Sequence, residues 1–323
     1  MNELCATNTK TPAEALNLAC MCQFLDAKKL QHQLELEPTL AGLAHDIALT
    51  RPLLFSASMV FISPAQRDQI AELVAAIEQV VALPSWQQRH LQQAPAIAHP
   101  DLGPTGVFFG FDFHLGPEGP QLIEVNSNAG GALLNRALAL AQTACCQPLQ
   151  PWLQQATASV ANLEADWVQM FMAEWQAQRG QGRPQCIAIV DDSPEQQYLY
   201  PEFRLAQAMF ARAGITALIA DPQRLIWQNQ QLWCDGQVVD MVYNRLTDFY
   251  LQQPANLALK QAYQAQAVVL TPSPRAHALY ADKRHLVAWS SEAELIKLAV
   301  PEAIRAILLA RIPTTQLVTK AQA

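Results

Sequence analysis

The stretch from residue 106 to residue 131 constrains the fold most, because it combines strand-type alternation with a compact turn signal. Residues 107–115 alternate bulky apolar side chains with small or polar ones, and residues 121–126 repeat this alternation. Between them, residues 116–120 read Gly-Pro-Glu-Gly-Pro, and glycine and proline are the residues that tight turns need. The sequence therefore predicts a β-hairpin.

The predicted hairpin brings four polar side chains towards one another. Alternation places Asp112 and His114 on one face of the outgoing strand, and Glu124 and Asn126 on one face of the returning strand. Buried carboxylates need a compensating positive charge, and Mg²⁺ takes one or two carboxylates and completes its shell with water and phosphate oxygens. The same pattern is also typical of a hairpin with a plain solvent-facing side, so both interpretations stay open.

A glycine-containing segment follows the hairpin directly. Residues 128–131 read Asn-Ala-Gly-Gly and precede a predicted helix over residues 132–144. Glycines before a helix let backbone N–H groups face an anion, so Asn128, Gly130 and Gly131 are candidate contacts for a nucleotide phosphate or a substrate carboxylate. A plain turn between strand and helix explains the same residues.

The returning strand, Leu-Ile-Glu-Val-Asn, together with Asp112, resembles the metal-binding end of an ATP-grasp domain. There, an acidic residue and an E-x-N strand hold the magnesium ions that bridge the phosphates of ATP. The resemblance implies ATP and Mg²⁺ as cofactors and Asp112, Glu124 and Asn126 as metal ligands, whereas His114 has no counterpart. The early position of the motif resembles the circularly permuted ATP-grasp group, which includes the relatives of glutathionylspermidine synthase.

Composition and charge narrow the class of protein. Apolar residues make up 51% of the chain and charged residues 15%, which is typical of globular proteins. Its length of 323 residues is sufficient for more than one domain. Its net charge of −7, without a basic block, argues against nucleic acid and anionic membranes as partners. No apolar stretch has the roughly 18 residues of a membrane span, and no signal-peptide pattern is present. We therefore expect a cytoplasmic protein.

The seven cysteines predict a reduced environment, because their number is odd and no C-x-x-C pair occurs. The pair Cys20 and Cys22 could bind a metal or act in redox chemistry, but its apolar helical context favours packed thiols. The same interpretation applies to the adjacent Cys145 and Cys146.

Strands and helices alternate in the second half of the chain. Strands are predicted over residues 186–192 and 215–221, with a helix over residues 201–213 between them, which indicates a parallel pair joined by a right-handed crossover. Upstream, Ser63 and Pro64 are expected to cap an amphipathic helix, and residues 151–179 form a second long helical stretch.

These patterns predict an α/β fold built from three parts. The parts are a helical α+β segment with the metal hairpin over residues 1–180, a parallel β/α domain that resembles the pre-ATP-grasp domain over residues 185–275, and the helical start of a truncated nucleotide-binding half over residues 276–323. The turn-forming residues 180–184 provide the first boundary.

Two basic residues outside the hairpin are further candidates. Arg245 follows a predicted strand over residues 238–243, where its planar fork suits a phosphate or carboxylate. It resembles the Tyr-x-Arg segment of glutathionylspermidine synthase relatives, which implies a catalytic role. Lys283 lies in an Ala-Asp-Lys-Arg segment predicted to be helical, and this segment is similar to the D-K-x-x-x element of ATP-grasp proteins, which implies a nucleotide contact. A solvated helix face also explains Lys283.

Three other polar residues have two explanations each. Arg51 lies in an apolar neighbourhood and either contacts a substrate anion or is an ordinary paired arginine, with pairing favoured. Asp191 and Asp192 follow a strand at the edge where open α/β sheets bind ligands, but turn or capping roles are favoured because no glycine-rich loop follows them.

The leading hypothesis is an ATP-dependent carboxylate–amine ligase that acts through an acyl-phosphate on small carboxylate and amine substrates, with a homodimer as a candidate assembly. The resemblance implies a lysine-bearing strand and a glycine-rich loop after residue 319, but the sequence ends at Ala323 and its last glycine is Gly236. We therefore expect either a truncated remnant of such a ligase or one part of a larger protein. The alternative is a non-catalytic α/β protein that binds a carboxylate or a peptide.

Overall fold

A computed structural model describes residues 25–143 and 149–318, together with Ala13, Leu16 and Asn17. This part of the chain contains many helices, a parallel sheet and antiparallel sheets, which confirms the predicted α/β class. The helices are α1 (Ala27–Leu34), α2 (Leu43–Thr50), α3 (Pro64–Val81), α4 (Pro84–Gln93), α5 (Ala132–Ala141), α6 (Gln150–Val160), α7 (Leu163–Arg179), α8 (Tyr200–Arg212), α9 (Leu257–Gln264), α10 (Pro274–Tyr280), α11 (His285–Trp289), α12 (Glu292–Lys297) and α13 (Glu302–Arg311). The strands are β1 (Gly110–Gly116), β2 (Gly119–Asn126), β3 (Cys186–Val190), β4 (Thr216–Ala220), β5 (Leu225–Gln228), β6 (Gln231–Cys234), β7 (Gln237–Val239), β8 (Met241–Asn244) and β9 (Val269–Thr271).

The central sheet has four parallel strands in the order β4–β3–β8–β9. Strand β3 is apolar and buried at every position, and such continuous apolar runs are typical of inner strands with both faces covered. Helix α8 connects β3 to the parallel strand β4, so the predicted β–α–β unit is confirmed. Strands β5, β6 and β7 form a separate antiparallel meander.

The predicted strand over residues 238–243 is interrupted, and it forms the end of β7 and most of β8. The break lies at Asp240, whose carboxylate accepts hydrogen bonds from the backbone N–H groups of Gln185 and Cys186 at 2.8 and 3.1 Å. Asp240 thereby ties the start of β3 to the start of β8. The backbone of Asp240 adds to this connection, because its N–H donates to the carbonyl of Cys186 and its carbonyl accepts from the N–H of Val269, both at 3.0 Å. The interruption therefore marks the change of strand partner from β6 to β3.

Helices cover both faces of the central sheet because the strand residues alternate between two cores. Ile187 and Ile189 pack with Phe171 of α7 and Phe210 of α8 on one face. On the other face, the intervening β3 residues pack with α9 and with the meander. Each face therefore buries its own set of aliphatic and aromatic side chains, which is the arrangement that stabilises an open parallel sheet.

A third core lies under the β1–β2 hairpin. Leu122 and Val125 of β2 pack against Ile77 of α3 and against Trp289 and Leu308 of the C-terminal helices. Two strands alone are at best marginally stable in water, so this packing is what holds the hairpin in place. The segments at residues 64–81 and 274–312 therefore form the base of the hairpin.

Helix α3 begins as predicted. The Ser63 hydroxyl accepts a hydrogen bond from the N–H of Gln66 at 3.1 Å, and the Gln66 side chain accepts one from the N–H of Ser63 at 2.8 Å. This reciprocal capping box satisfies two backbone donors at the start of the helix.

The predicted boundary at residues 180–184 does not separate two cores in the described part of the chain. Val107 and Phe171, before the boundary, share a core with Ile187 and Tyr243, after it. The division into three parts stays a prediction, and its first two parts are joined by this common core.

Two helical predictions are corrected. Residues 151–179 form α6 and α7 with a break at Ala161 and Asn162, because the Asn162 carbonyl accepts the first hydrogen bonds of a new helix. The Ala-Asp-Lys-Arg segment at residues 281–284 is a turn between α10 and α11 and is not helical.

Cys20, Cys22, Cys145 and Cys146 lie outside the described residues, whereas Cys186 and Cys234 are buried free thiols. Burial raises the pKa of each of these two thiols to about 11, so both are protonated and unreactive near neutral pH. Over the described ranges, no helix combines the length and the apolar character that a bilayer crossing requires.

Candidate functional site

The hairpin register places the three predicted metal ligands on one face. Asp112 of β1 lies directly opposite Glu124 of β2, and Gly110 lies opposite Asn126. Opposite residues of an antiparallel pair share a face, and Glu124 and Asn126 are two positions apart. The predicted placement is therefore confirmed, while the role as metal ligands stays a prediction.

A β-bulge lies immediately beside this set. Asp112 pairs with Glu124, but the next residue, Phe113, pairs with Leu122, so Ile123 is the extra residue of β2. The bulge explains why Leu122 and Val125, three positions apart, are both buried. The strict alternation in the sequence does not predict this shift in register.

The oxygen-bearing face is open to solvent. Asp112 is exposed, Asn126 is half-buried, and the Glu124 side chain retains 37% of its accessible surface. No group of three or more His, Cys, Asp or Glu residues in the described ranges is arranged to hold a metal ion. A cation here would therefore be held by two carboxylates and the Asn126 amide, and the rest of its shell would be non-protein oxygen atoms.

Lys283 approaches the same face from the turn between α10 and α11. Its Nζ lies 3.4 Å from Oε1 of Glu124, and the lysine side chain is 68% exposed. The neighbouring Arg284 forms an ion pair with Asp282, which holds the pKa of that carboxyl at about 2. The structure thus brings Lys283 to the predicted metal ligands, although not on the predicted helix.

A groove of about 390 Å³ lies beside Lys283. Its walls are mostly apolar, and Arg284 adds a second cation at the side of Lys283. The groove is also lined by Leu122, Ile123, Leu286 and Pro313. The groove therefore connects the bulged edge of β2 with a basic turn.

The glycine-containing segment after β2 holds an anion that the protein itself provides. Glu202 of α8, which is 2% exposed, accepts a hydrogen bond from the N–H of Gly131 and another from the N–H of Leu133 at 3.0 Å. Burial raises the pKa of Glu202, while these amides and the nearby Arg245 favour its charged form. Of the three residues predicted to contact a phosphate, Gly131 therefore already donates its N–H to a carboxylate of the protein.

Arg245 has a similar internal role. Its Nη1 donates to the carbonyl oxygens of Asn128 and Ala129, the second at 2.7 Å, and its guanidinium lies over the ring of Tyr243 at 5.5 Å. The residue is 8% exposed. Asn128 in turn donates from Nδ2 to the carbonyl of Leu246 at 3.3 Å. Arg245 was predicted to be catalytic and Asn128 to contact a cofactor. Together they connect residues 128–129 to residues 245–246, which follow β8.

Gly130 is required by this close packing. A Cβ atom at Gly130 would lie 2.7 Å from Nη2 of Arg245 and 3.1 Å from Oε2 of Glu202. Gly131 has φ of 100°, in the left-handed region that favours glycine. Both glycines are therefore explained by the loop geometry, without a bound phosphate.

His277 and Ser127 form a contact that the sequence did not indicate. The Ser127 hydroxyl lies 3.3 Å from Nδ1 of His277, and the imidazole stacks on the ring of Phe249 with centroids 3.6 Å apart. Burial lowers the pKa of His277 to about 4, so the ring is neutral near pH 7. Because Ser127 follows Asn126, this contact fixes the end of β2. A single histidine in a helix gives no sequence signal for it.

Glu174 of α7 is a second residue without a sequence signal. Its buried carboxylate accepts hydrogen bonds from the N–H groups of Thr105 and Gly106 at 3.0 and 2.9 Å and from the hydroxyl of Thr271. Glu174 therefore connects the segment before β1 to the end of β9.

Arg51 and Asp191 make hydrogen bonds within the protein, and the bond of Asp191 agrees with the favoured turn role, whereas the role of the Asp192 side chain stays a prediction. Arg51 donates to the carbonyl oxygens of Gln197 and Tyr198 at 2.8 and 2.9 Å. The Asp191 carboxylate accepts from the N–H of Asp192 at 2.9 Å, and burial raises the pKa of Asp191 to about 6.

Neither a family model nor a curated protein matches this chain. The resemblance to ATP-grasp proteins therefore stays a prediction from the residues of the hairpin.

Proposed function

We propose that this chain carries the magnesium-binding part of an ATP-dependent carboxylate–amine ligase of the ATP-grasp type. The observation that carries the proposal is the pairing of Asp112 with Glu124 across the hairpin, with Asn126 on the same face. Like charges at opposite strand positions repel each other, and a bound cation would relieve this repulsion in addition to the ammonium of Lys283, which lies 3.4 Å from Glu124.

These residues fit a hard cation. Mg²⁺ prefers oxygen ligands and is usually bound through one or two carboxylates, with waters and substrate phosphates completing an octahedral shell. The solvent-open face of the hairpin leaves room for those additional oxygen atoms. When bound, Mg-ATP supplies the phosphoryl group that activates a substrate carboxylate for attack by an amine.

Lys283 would neutralise negative charge at the same place. Its ammonium group already lies beside Glu124, and its exposed side chain is free to turn towards an anion. The adjoining groove with apolar walls supports the binding of a ligand that is partly apolar and partly anionic.

The residues of the glycine-containing segment act in this proposal as positioning residues. Glu202 and Arg245 hold residues 128–131 from two sides, and this segment begins two residues after Asn126. Arg245 thus orients the strand that carries Glu124 and Asn126. Rigid support of this kind is what a metal-binding set needs.

The proposal is tested by calorimetric titration of the chain with ATP in the presence and absence of Mg²⁺. We expect Mg²⁺-dependent binding that Glu124→Gln weakens by about tenfold or more, because ligands of a metal matter at least as much as the residues that support them. Glu118→Gln, at the exposed turn of the same hairpin, is the matched control and should bind like the unmodified chain. Equal affinities for Glu124→Gln and the control would overturn the metal assignment.

The second candidate is a non-catalytic α/β protein that binds a carboxylate or peptide. One observation favours it: the N–H groups of Gly131 and Leu133 and the Nη1 atom of Arg245 already make hydrogen bonds inside the protein. Incubation with ATP, Mg²⁺ and mixed carboxylates and amines separates the two candidates. Release of ADP that depends on both substrates supports the ligase, and ligand binding without ADP release supports the second candidate. Use of ATP is in keeping with a cytoplasmic location, which we also propose.

A further inference from the structure

Strand β1 has one open edge. The hairpin is a two-stranded sheet, and no other strand of the described residues pairs with β1 on its second side. Such an edge presents a row of backbone N–H and C=O groups to other strands. Natural proteins commonly block exposed edges with proline, lysine or a covering segment.

The opposite edge of the hairpin is blocked. Pro120 removes a backbone donor from β2, and the side chain of Gln121 donates to the carbonyl of Ala310 at 3.1 Å. Arg311 donates to the carbonyl of Glu118 at 2.7 Å in the turn. Strand β1, Gly-Phe-Asp-Phe-His-Leu-Gly, contains neither proline nor lysine. The outer edge of β2 is therefore blocked, whereas the outer edge of β1 is open.

The pairing of Leu115 with Pro120 shows which groups of β1 face the open edge. Pro120 has no N–H, so this pair cannot exchange hydrogen bonds, and the ladder bonds belong to the pairs on either side of it, His114 with Gln121 and Gly116 with Gly119. Along a strand, the backbone N–H and C=O groups of successive residues point to opposite edges. The N–H and C=O groups of Phe111, Phe113 and Leu115 therefore point to the open edge.

The sequence of β1 is self-complementary in the antiparallel direction. With Phe113 opposite Phe113 of a second copy, Asp112 lies opposite His114, Phe111 lies opposite Leu115, and the two terminal glycines, Gly110 and Gly116, face each other. The carboxylate and imidazole are thereby paired twice, once on each side of a two-fold axis. Opposite charges and polar partners at such positions stabilise a strand pair.

The hydrogen-bonding pattern agrees with this register. Phe111, Phe113 and Leu115, which point their backbone groups outwards, would form the hydrogen-bonded pairs of the new ladder. Asp112 and His114 would then form the pairs without backbone bonds, in which side chains approach most closely. Neither side chain has a hydrogen-bond or ion-pair partner among the described residues, and both are exposed.

We propose that β1 pairs with β1 of a second copy of this chain, in antiparallel register about Phe113, to form a continuous four-stranded sheet across a symmetric dimer. The interface is isologous, since the same strand is used by both copies. It covers Leu115, which is 41% exposed in one chain. It also places His114 of the second copy on the face that carries Asp112, Glu124 and Asn126, so each copy contributes an imidazole to the other's oxygen-bearing face. The proposal stands independently of metal binding.

Sedimentation equilibrium over a range of chain concentrations, without metal or nucleotide, is the first test. We expect a monomer–dimer equilibrium that His114→Asp shifts to monomer, because two carboxylates then face each other across the axis. The double variant Asp112→His with His114→Asp restores complementary pairs and should restore the dimer. His45→Asp, the same change at an exposed position of α2, should leave the dimer unchanged.

Hydrogen exchange identifies the edge itself. At concentrations that favour the dimer, the amides of Phe111, Phe113 and Leu115 should become protected, and on dilution they should lose this protection. Leu115→Pro removes one outward N–H without removing a β1–β2 bond, so it should also weaken the dimer. A chain that stays monomeric at every concentration, a double variant that fails to restore the dimer, or a dimer with these three amides unprotected would overturn the proposal.

Discussion

Glu202 of α8 accepts a hydrogen bond from the backbone N–H of Gly131, at the start of α5. The N-terminus of a helix attracts anions because its first N–H groups are unpaired and the helix dipole adds positive charge. Here the anion comes from another helix of the same chain. The glycine-containing segment, which the sequence predicts to bind a phosphate, therefore connects the start of α5 to α8.

The first prediction concerns this connection. Glu202→Ala should lower the free energy of unfolding by about 3–5 kcal/mol, because it leaves buried amides and the nearby Arg245 without their carboxylate. Urea denaturation followed by circular dichroism measures the change. Glu302→Ala, at an exposed position in the first turn of α13, should stay within about 0.5 kcal/mol. Similar small changes for both variants would contradict the structural role of Glu202.

A second prediction concerns the close approach at Gly130. Gly130→Ala should destabilise the protein by about 1–3 kcal/mol, because the added Cβ meets the guanidinium of Arg245 and the carboxylate of Glu202. Gly116→Ala is the matched control, since a Cβ there meets no atom within 4 Å. Thermal unfolding of both variants gives the comparison. An unchanged midpoint for Gly130→Ala would show that the loop does not need a glycine at this position.

The third prediction separates a surface ion pair from a ligand contact at Lys283. Exposed ion pairs are worth about 0–1 kcal/mol, so Lys283→Met should barely change stability. Its effect on ATP binding should be larger, a loss of about tenfold, if the lysine contacts phosphate in addition to Glu124. Lys297→Met removes an equally exposed lysine from its pair with Glu294 and is the control. Equal ATP affinity of the two variants would exclude Lys283 from the site.

The fourth prediction uses the buried imidazole of His277. Its pKa is about 4 in the folded protein and about 6.5 in the unfolded chain, so the unfolded state binds more protons between these values. Stability is therefore greatest above about pH 6.5 with respect to this group, and it falls as the pH drops towards 4. His277→Phe should make this loss shallower in urea denaturation at several pH values.

The matched variant for this measurement is Ser127→Ala. It removes the hydrogen bond to His277 but keeps the imidazole, so it should lower stability by about 1 kcal/mol and leave the pH dependence in place. Part of the dependence of stability on pH remains in both variants, because burial also lowers the pKa of His90 to about 4 and that of His285 to about 3. An identical slope for His277→Phe and the unmodified chain would contradict the assignment.

Local sequence signals predict the elements that local physics determines. Ser63 and Gln66 form a capping box within one turn, and the turn-rich residues 116–120 fix a hairpin between two alternating stretches. The apolar run at β3 requires burial on both faces and so predicts an inner strand. In each case the decisive residues lie within a few positions of one another.

Long-range contacts determine the parts that the sequence does not predict. Glu202 and Glu174 resemble ordinary helix glutamates, yet each binds backbone amides of a distant segment. The extra residue at Ile123 changes which β2 side chains are buried, and no composition signal marks it. The alternation in the sequence predicted the shared face of Asp112, Glu124 and Asn126. The contacts of Gly131 and Arg245 were not predictable, because the carboxylate and the carbonyl groups that bind them lie far away along the chain.

Glu174 has a consequence for how far the hairpin and the parallel sheet can move relative to each other. One carboxylate joins the residues just before β1 to Thr271 at the end of β9, and these partners are far apart along the chain. A displacement of the segment before β1 away from β9 would break these bonds and leave a buried carboxylate without partners, which costs free energy. The position of the first hairpin strand is therefore coupled to the edge of the parallel sheet.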